Sequence, residues 1–251
     1  MTQPLQQQIT LGILETGIVA DELRAKFGSY PEMFTTLLQN ENTRLTINSY
    51  NVIEGEYPAN IDDNDAYLIT GSKSDSYATD DWMMQLRTYI SELHHRRKKL
   101  VGICFGHQII AHTLGGRAGK SDQGWGLGIS TSTLAAGLSL PWLTTDKSEF
   151  NLLVSHQDQV LQLPPDASLL AGNDFCPNSA YIIDEHILCF QGHPEFSIDY
   201  SLGLLDSRKA IIKESVYQKA IDSYAHSPDH QLIARWILAF IGATLCIVPN
   251  K

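Results

Sequence analysis

Between Ile9 and Leu114 the sequence alternates apolar strand-like runs with helical stripes, and this alternation constrains the fold more than any other feature. Residues 9–15 (ITLGILE) read as a buried strand. Ser29 is placed to cap a helix opening near Pro31, whose ring is preorganised for a first helical turn. Met33, Phe34, Leu37 and Leu38 then fall at helical spacing. Residues 43–53 form a second strand pattern through Leu45, Ile47 and Val52, and residues 66–70 a third, ending at Gly71-Ser72. The strongest helical stripe runs over 80–97, with Asp80 as its cap and Trp82, Leu86, Tyr89, Ile90 and Leu93 on one face. A fourth strand over 99–104 leads into a helix over 106–114. Strand and helix in strict alternation predict a parallel sheet with helices on both faces.

The second half changes character. Short apolar runs crowd together at 128–134, 152–155, 167–171, 180–184 and 187–191, which predicts an antiparallel extension with Asp184-Glu185-His186 as a turn. Two helices, over 197–224 and 231–241, close the chain. No Pro/Gly/Ser-rich linker, low-complexity tract or repeat divides the sequence, so residues 1–251 read as one domain with a core over about 9–196 and closing helices over about 197–251. The expected class is α/β: three layers, a mostly parallel central sheet with helices on both faces, and a small antiparallel extension.

Charge narrows the function. The 251 residues carry a formal net charge of −10, which repels phosphate backbones and anionic membranes, so neither nucleic acid nor membrane is an expected partner. The basic run from His94 to Lys99 sits at a predicted helix end, where cations complement the dipole and stay solvated. No apolar run approaches the roughly 18 residues that span a bilayer. The first ten residues lack a basic region followed by an apolar stretch, so no secretory signal is expected. Cys104, Cys176, Cys189 and Cys246 match neither zinc-module nor disulfide-framework spacing. A reducing cytoplasm is the expected location, with no metal and no cofactor.

The most informative segment is Gly102-Ile103-Cys104-Phe105-Gly106, placed where a strand turns into a helix. A residue held in such a turn projects above the C-terminal edge of the sheet, and the flanking glycines permit the tight backbone. Positive partial charge at the helix start favours a thiolate, and the Phe105 N–H would face a developing oxyanion. A free cysteine is more often a small core hydrophobe; the paired glycines and the strand-to-helix switch favour a nucleophile. Downstream, Gln191-Gly192-His193-Pro194-Glu195-Phe196 follows another strand. Residues two apart in an extended segment point the same way, so Glu195 can orient His193, which can take a thiol proton and return it to a leaving group.

GICFGHQ together with QGHPEF resembles the class I, triad-type glutamine amidotransferases, and the resemblance runs in order through the first strand, the ITGS turn, the Cys elbow and the His-Pro-Glu strand end. It implies a flavodoxin-like sheet and a triad of Cys104, His193 and Glu195 that cleaves the side-chain amide of glutamine through a γ-glutamyl thioester. It implies a second oxyanion donor from Gly71 or Ser72, and a glutamyl pocket lined by Gln108 and by Ser155 and His156 of the SHQDQ segment. His156 competes with His193 as base and ranks second, because only His193 is followed by Pro-Glu. His107 is expected to be structural, and residues 124–128 (GWGLG) form either a pocket rim or a plain turn around a packed Trp125.

GSKSDSYATDDW, CFGHQ, GWGLG, SHQDQV and QGHPE together look most like the stand-alone GMP synthase-like proteins, which include plant γ-glutamyl peptidases. The expected substrate is therefore glutamine or a γ-glutamyl small molecule. No Gly-rich nucleotide loop is present, and the residues beyond the glutaminase-type core are too few for a synthetase. Two alternatives stay open: a glutaminase subunit that hands ammonia to a separate synthetase subunit, and a non-enzymatic or redox-sensing protein of the same fold. Oligomeric state is not readable, and Cys176, Cys189 and Cys246 read as packed thiols.

Overall fold

The computed structural model describes residues 8–39 and 44–243. In chain order the elements are β1 (Ile9–Glu15), α1 (Asp21–Phe27), α2 (Tyr30–Leu38), β2 (Leu45–Asn51), β3 (Ala66–Ile69), α3 (Asp81–His95), β4 (Lys99–Ile103), α4 (Phe105–Thr113), β5 (Arg117–Lys120), β6 (Gly126–Leu134), β7 (Glu149–His156), β8 (Asp158–Gln162), β9 (Ala167–Gly172), β10 (Ala180–Ile183), β11 (Ile187–Phe190), α5 (Ile198–Ser207), α6 (Glu214–Ser223) and α7 (His230–Ile241). Nine strands form one sheet in the order β2-β1-β3-β4-β11-β10-β9-β6-β7. The block from β2 to β11 is parallel, and the strands from β10 to β7 extend it antiparallel. β5 and β8 make a separate antiparallel pair.

Side chains that alternate along the strands fill two layers. Ala66 and Leu68 of β3, Val101 and Ile103 of β4, and Leu188 and Phe190 of β11 pack with Phe34 of α2 and Trp236, Ile237 and Phe240 of α7. Tyr67, Ile69, Leu100, Ile187 and Cys189 point the other way, onto Leu86, Ile90 and Leu93 of α3 and Ile109 and Ile110 of α4. These central strands are apolar on both faces, as a sheet covered on both sides requires. After β1 the chain crosses to β2 on one flank and then to β3 on the other. The C-terminal ends of β1 and β3 thus flank a switch point, where open α/β sheets form their crevice.

Ser29 caps α2 with a reciprocal Glu32 bond, and the helix starts at Tyr30, one residue before Pro31. Asp80 precedes α3, but its side chain makes no capping bond. The basic run is answered by acids: Arg97 meets Asp184 at 2.8 Å, and Lys98 meets Asp62 at 2.8 Å. Asp184–His186 does form the turn between β10 and β11. Cys176 and Cys189 are buried free thiols, while Cys246 and Thr43 lie outside the described residues.

Four elements depart from the expected pattern. α1 buries no residue, so it leaves no apolar stripe to read. β5 and β8 are short and partly exposed. The helix expected over 197–224 is broken: α5 ends at Ser207, a single 3-10 turn follows, and Ile212 is extended (φ −99°, ψ 133°) before α6. Across the break Ile212 is buried in one cluster with Leu205 and Ala220. Among the described residues no helix is long and apolar enough to cross a membrane.

Trp236 is fully buried and meets Phe150 edge-on at 5.6 Å. Trp236→Ala removes a large ring that its neighbours cannot replace, and a loss of about 3–5 kcal/mol in urea unfolding is expected.

Candidate active site

Cys104 stands between β4 and α4 with φ +53° and ψ −98°. A non-glycine residue there costs on the order of 1–3 kcal/mol and persists only where the surroundings over-determine it. Here they do. The Cys104 N–H donates to the Phe190 carbonyl at 2.8 Å, the Gln108 N–H to the Cys104 carbonyl at 3.1 Å, and the Gly106 N–H to the Thr70 carbonyl at 3.2 Å. Both glycines are steric requirements: a Cβ on Gly106 would lie 2.4 Å from the Ile69 carbonyl oxygen, and one on Gly102 would lie 2.7 Å from Ile110 Cδ1. The helix start is pressed onto the ends of β3 and β4, and the thiol is what projects.

β11 runs parallel beside β4, with Phe190 in register with Ile103. The segment after β11 therefore leaves the sheet at the edge where Cys104 sits. The His193 N–H donates to the Leu153 carbonyl at 2.8 Å, tying the segment to β7. His193 Nδ1 meets Glu195 Oε1 at 2.7 Å, with both side chains almost wholly buried. The Phe196 ring stacks on the imidazole at 3.8 Å and 7°. The His193 imidazole lies beside Cys104, and the two side chains interact electrostatically. Burial disfavours a charged imidazole, but the Glu195 carboxylate and the Cys104 sulfur outweigh it and hold the His193 pKa well above the ordinary value.

Gln191 was not singled out from the sequence, yet its side-chain amide donates to Cys104 Sγ at 3.6 Å. The two-residue alternation that pairs His193 with Glu195 also puts Gln191 on that side, and this was the available signal. Gln108 sits at the cavity wall, where its amide bonds Gln191 Oε1 at 3.1 Å and the Asp158 carbonyl at 2.8 Å. Thr16 also carried no signal. Its hydroxyl donates to the Thr70 carbonyl at 2.9 Å and contacts the Gly71 carbonyl at 3.3 Å, fixing the turn after β3 from the end of β1.

Cys104 opens into a cavity of about 240 Å³ that Ser72, Gln108, Ser155 and His156 also line. Gly71 lies against both reactive groups: a Cβ there would be 2.8 Å from His193 Cε1 and 3.7 Å from Cys104 Cβ. Phe105 is the first residue of α4, where amide N–H groups have no intrahelical acceptor. The Ser155 hydroxyl also accepts from Arg208 Nη1 at 2.6 Å. His156 Nδ1 is taken by the Asp158 carbonyl at 2.9 Å, and burial pulls its pKa down to about 4. Among the described residues no carboxylate bonds its ring, whereas Glu195 bonds that of His193. Trp125 lines the cavity and packs with the apolar residues of α5 and α6, so it is at once rim and packed ring.

His107 is fully buried on the other side of α4, bonded through Nε2 to the Asn178 carbonyl at 2.9 Å. Burial lowers its pKa to about 3. His107 and His156 thus stay neutral in the folded chain at pH values where the unfolded chain, with imidazoles near pH 6.5, binds protons. Stability rises with pH wherever the unfolded state holds more protons, so it falls as pH drops from about 6.5 toward about 4. The expected outcome is a lower urea midpoint at pH 5 than at pH 7, with a smaller difference in His107→Gln.

The sequence model of the family described as glutamine amidotransferase class-I matches residues 27–201. γ-Glutamyl peptidase 2 of Arabidopsis thaliana is 30% identical over 215 residues, covering 83% of this chain and 86% of that protein. γ-Glutamyl peptidase 4 of the same plant is 32% identical over 185 residues, covering 72% and 73%. A glutamine amidotransferase of Thermotoga maritima superposes with a TM-score of 0.74 at 12% identity, over 94% of this chain and 99% of that one. A glutamine amido transferase of Methylobacillus flagellatus gives 0.69 at 17% identity, over 98% and 99%. At these identities the two structures speak for the fold alone.

Proposed function

Because the chain belongs to the class-I glutamine amidotransferase family, we propose that it hydrolyses γ-glutamyl amide bonds, with Cys104 as nucleophile, His193 as base and acid, and Glu195 as orienter. The observation that carries this reading is the strained Cys104 at the start of α4, set beside an imidazole that Glu195 holds at 2.7 Å. The relatives named γ-glutamyl peptidases point to the same bond. Residues of about 9–196 supply the whole constellation, and one domain with closing helices is the unit proposed to carry it.

The steps follow from the geometry. His193, whose pKa its partners hold high, already carries the thiol proton as Cys104 Sγ bonds to the γ-carbonyl carbon. The carbonyl oxygen becomes an oxyanion facing the Phe105 N–H and the turn at Gly71 and Ser72. Donors preorganised at such a position act on the charge that develops. The C–N bond then breaks, the proton moves from His193 to the leaving nitrogen, and amine or ammonia departs. Water, losing a proton to His193, attacks the thioester; the C–S bond breaks and the thiolate is restored with a free γ-carboxylate. The Gln191 amide, held by Gln108, is a neutral donor toward the sulfur through both halves.

The test is release of amine or ammonia by the purified chain from glutamine, glutathione and γ-glutamyl dipeptides. Wild-type turnover that Cys104→Ala abolishes supports the reading; full turnover by Cys104→Ala overturns it. Turnover only on adding a synthetase assigns the chain to ammonia delivery instead. Glu195→Gln keeps the shape but removes the charge that holds the imidazolium, and a fall in kcat of about 10²–10⁴-fold is expected. Gly71→Ala pushes the imidazole aside by close contact, and a displacement of that size is expected to cost on the order of 10²-fold in kcat with an unchanged circular dichroism spectrum.

A further inference from the structure

Arg208 lies beyond residues 27–201, the part of the chain that matches the family, and nothing in the sequence marks it. It caps the C-terminus of α5, its backbone N–H donating to the Leu205 carbonyl at 3.1 Å. Leu205, Ile212 and Ala220 are buried in one cluster that also takes in Trp125 and Leu127. Gly128, at φ +80°, lets α6 approach β6 so closely that a Cβ would lie 2.8 Å from the Ala220 carbonyl oxygen. The turn bearing Arg208 is therefore fastened to the strand that carries the cavity rim.

From that anchorage the guanidinium reaches the cavity that Cys104 lines. Nη1 donates to Ser155 Oγ at 2.6 Å, and the guanidinium carbon lies 5.3 Å from the centroid of the Trp125 ring. Both partners are neutral. Among the described residues Arg208 forms no ion pair. A guanidinium offers five N–H donors in a planar fork shaped for a carboxylate. A hydroxyl and an aromatic face hold this one in place without neutralising it.

The charge around it is as specific as the geometry. Lys73, Lys120 and Arg208 line the cavity with Asp75 and Asp158, so cations outnumber carboxylates there although the chain as a whole carries −10. A γ-glutamyl head brings one ammonium and one carboxylate. When its amide nitrogen belongs to an amino acid or peptide, a further carboxylate comes with the leaving group and the ligand is a net anion. Glutamine has no such group, since its leaving group is ammonia.

We propose that Arg208 anchors a carboxylate on the leaving group, and so selects γ-glutamyl amino acids and peptides over glutamine. This rests on the hydrolytic reading above. The experiment compares wild type, Arg208→Met and Arg208→Lys on γ-glutamylglycine, γ-glutamylglycinamide and glutamine. Wild type is expected to favour γ-glutamylglycine over the glycinamide by at least about tenfold in kcat/KM, the scale of a charge-assisted hydrogen bond. Arg208→Met is expected to erase that preference through KM, and Arg208→Lys to keep part of it, since an ammonium supplies charge without the fork. An undiminished preference in Arg208→Met overturns the proposal. So does an equal loss on γ-glutamylglycine and its amide, which would move the contact to the carboxylate of the glutamyl head. If wild type hydrolyses none of the three, the hydrolytic reading fails. Calorimetry with γ-glutamylglycine then decides the anchor separately: binding weakened at least tenfold in Arg208→Met supports it, and equal or absent binding overturns it.

Discussion

The close approach of α4 to the ends of β3 and β4 is the constraint on which the site depends. Gly106 lies where no side chain fits above the Ile69 carbonyl, and its N–H reaches the Thr70 carbonyl. That contact leaves the chain one residue in which to turn from strand to helix, and Cys104 takes a strained positive φ as a result. The strain is thus a product of packing between ordinary elements. Its consequence is a sulfur that stands off the sheet edge with a helix start behind it.

The second element is register. β4 and β11 are neighbours in a parallel pairing, so the residues that follow each strand emerge side by side. Cys104 comes directly after β4, and His193 a few residues after β11. The Leu153 carbonyl then holds the His193 backbone N–H, and the Glu195 carboxylate and the Phe196 ring fix the imidazole itself. A base with one nitrogen clamped by a buried carboxylate has its tautomer and its aim set together.

Much of this was legible in the sequence because it rests on local, repetitive signals. Short continuous apolar runs gave the central strands, helical stripes gave α2 and α3, and the glycines around Cys104 together with the His193-Pro194-Glu195 segment marked the elbow and its neighbour. What stayed hidden rests on long-range packing. α1 buries nothing, and across the break after α5 Ile212 is buried in one cluster with Leu205. Thr16 and Arg208 act through partners more than fifty residues away in sequence, Thr70 and Ser155. Gln191 was closer to reach, since it shares the alternation of His193.

The helical break after α5 separates two tasks within one cavity. Cys104 and His193, proposed as the reacting groups, follow the central strands β4 and β11, whose side chains enter both core layers. Arg208 hangs from a turn at the antiparallel margin of the sheet, fastened by a small cluster of its own. Substitutions in that cluster can re-aim the cation without touching β4 or β11. On the proposed reading, the anchor for a leaving-group carboxylate can therefore drift over evolutionary time while the strands that carry Cys104 and His193 stay as they are.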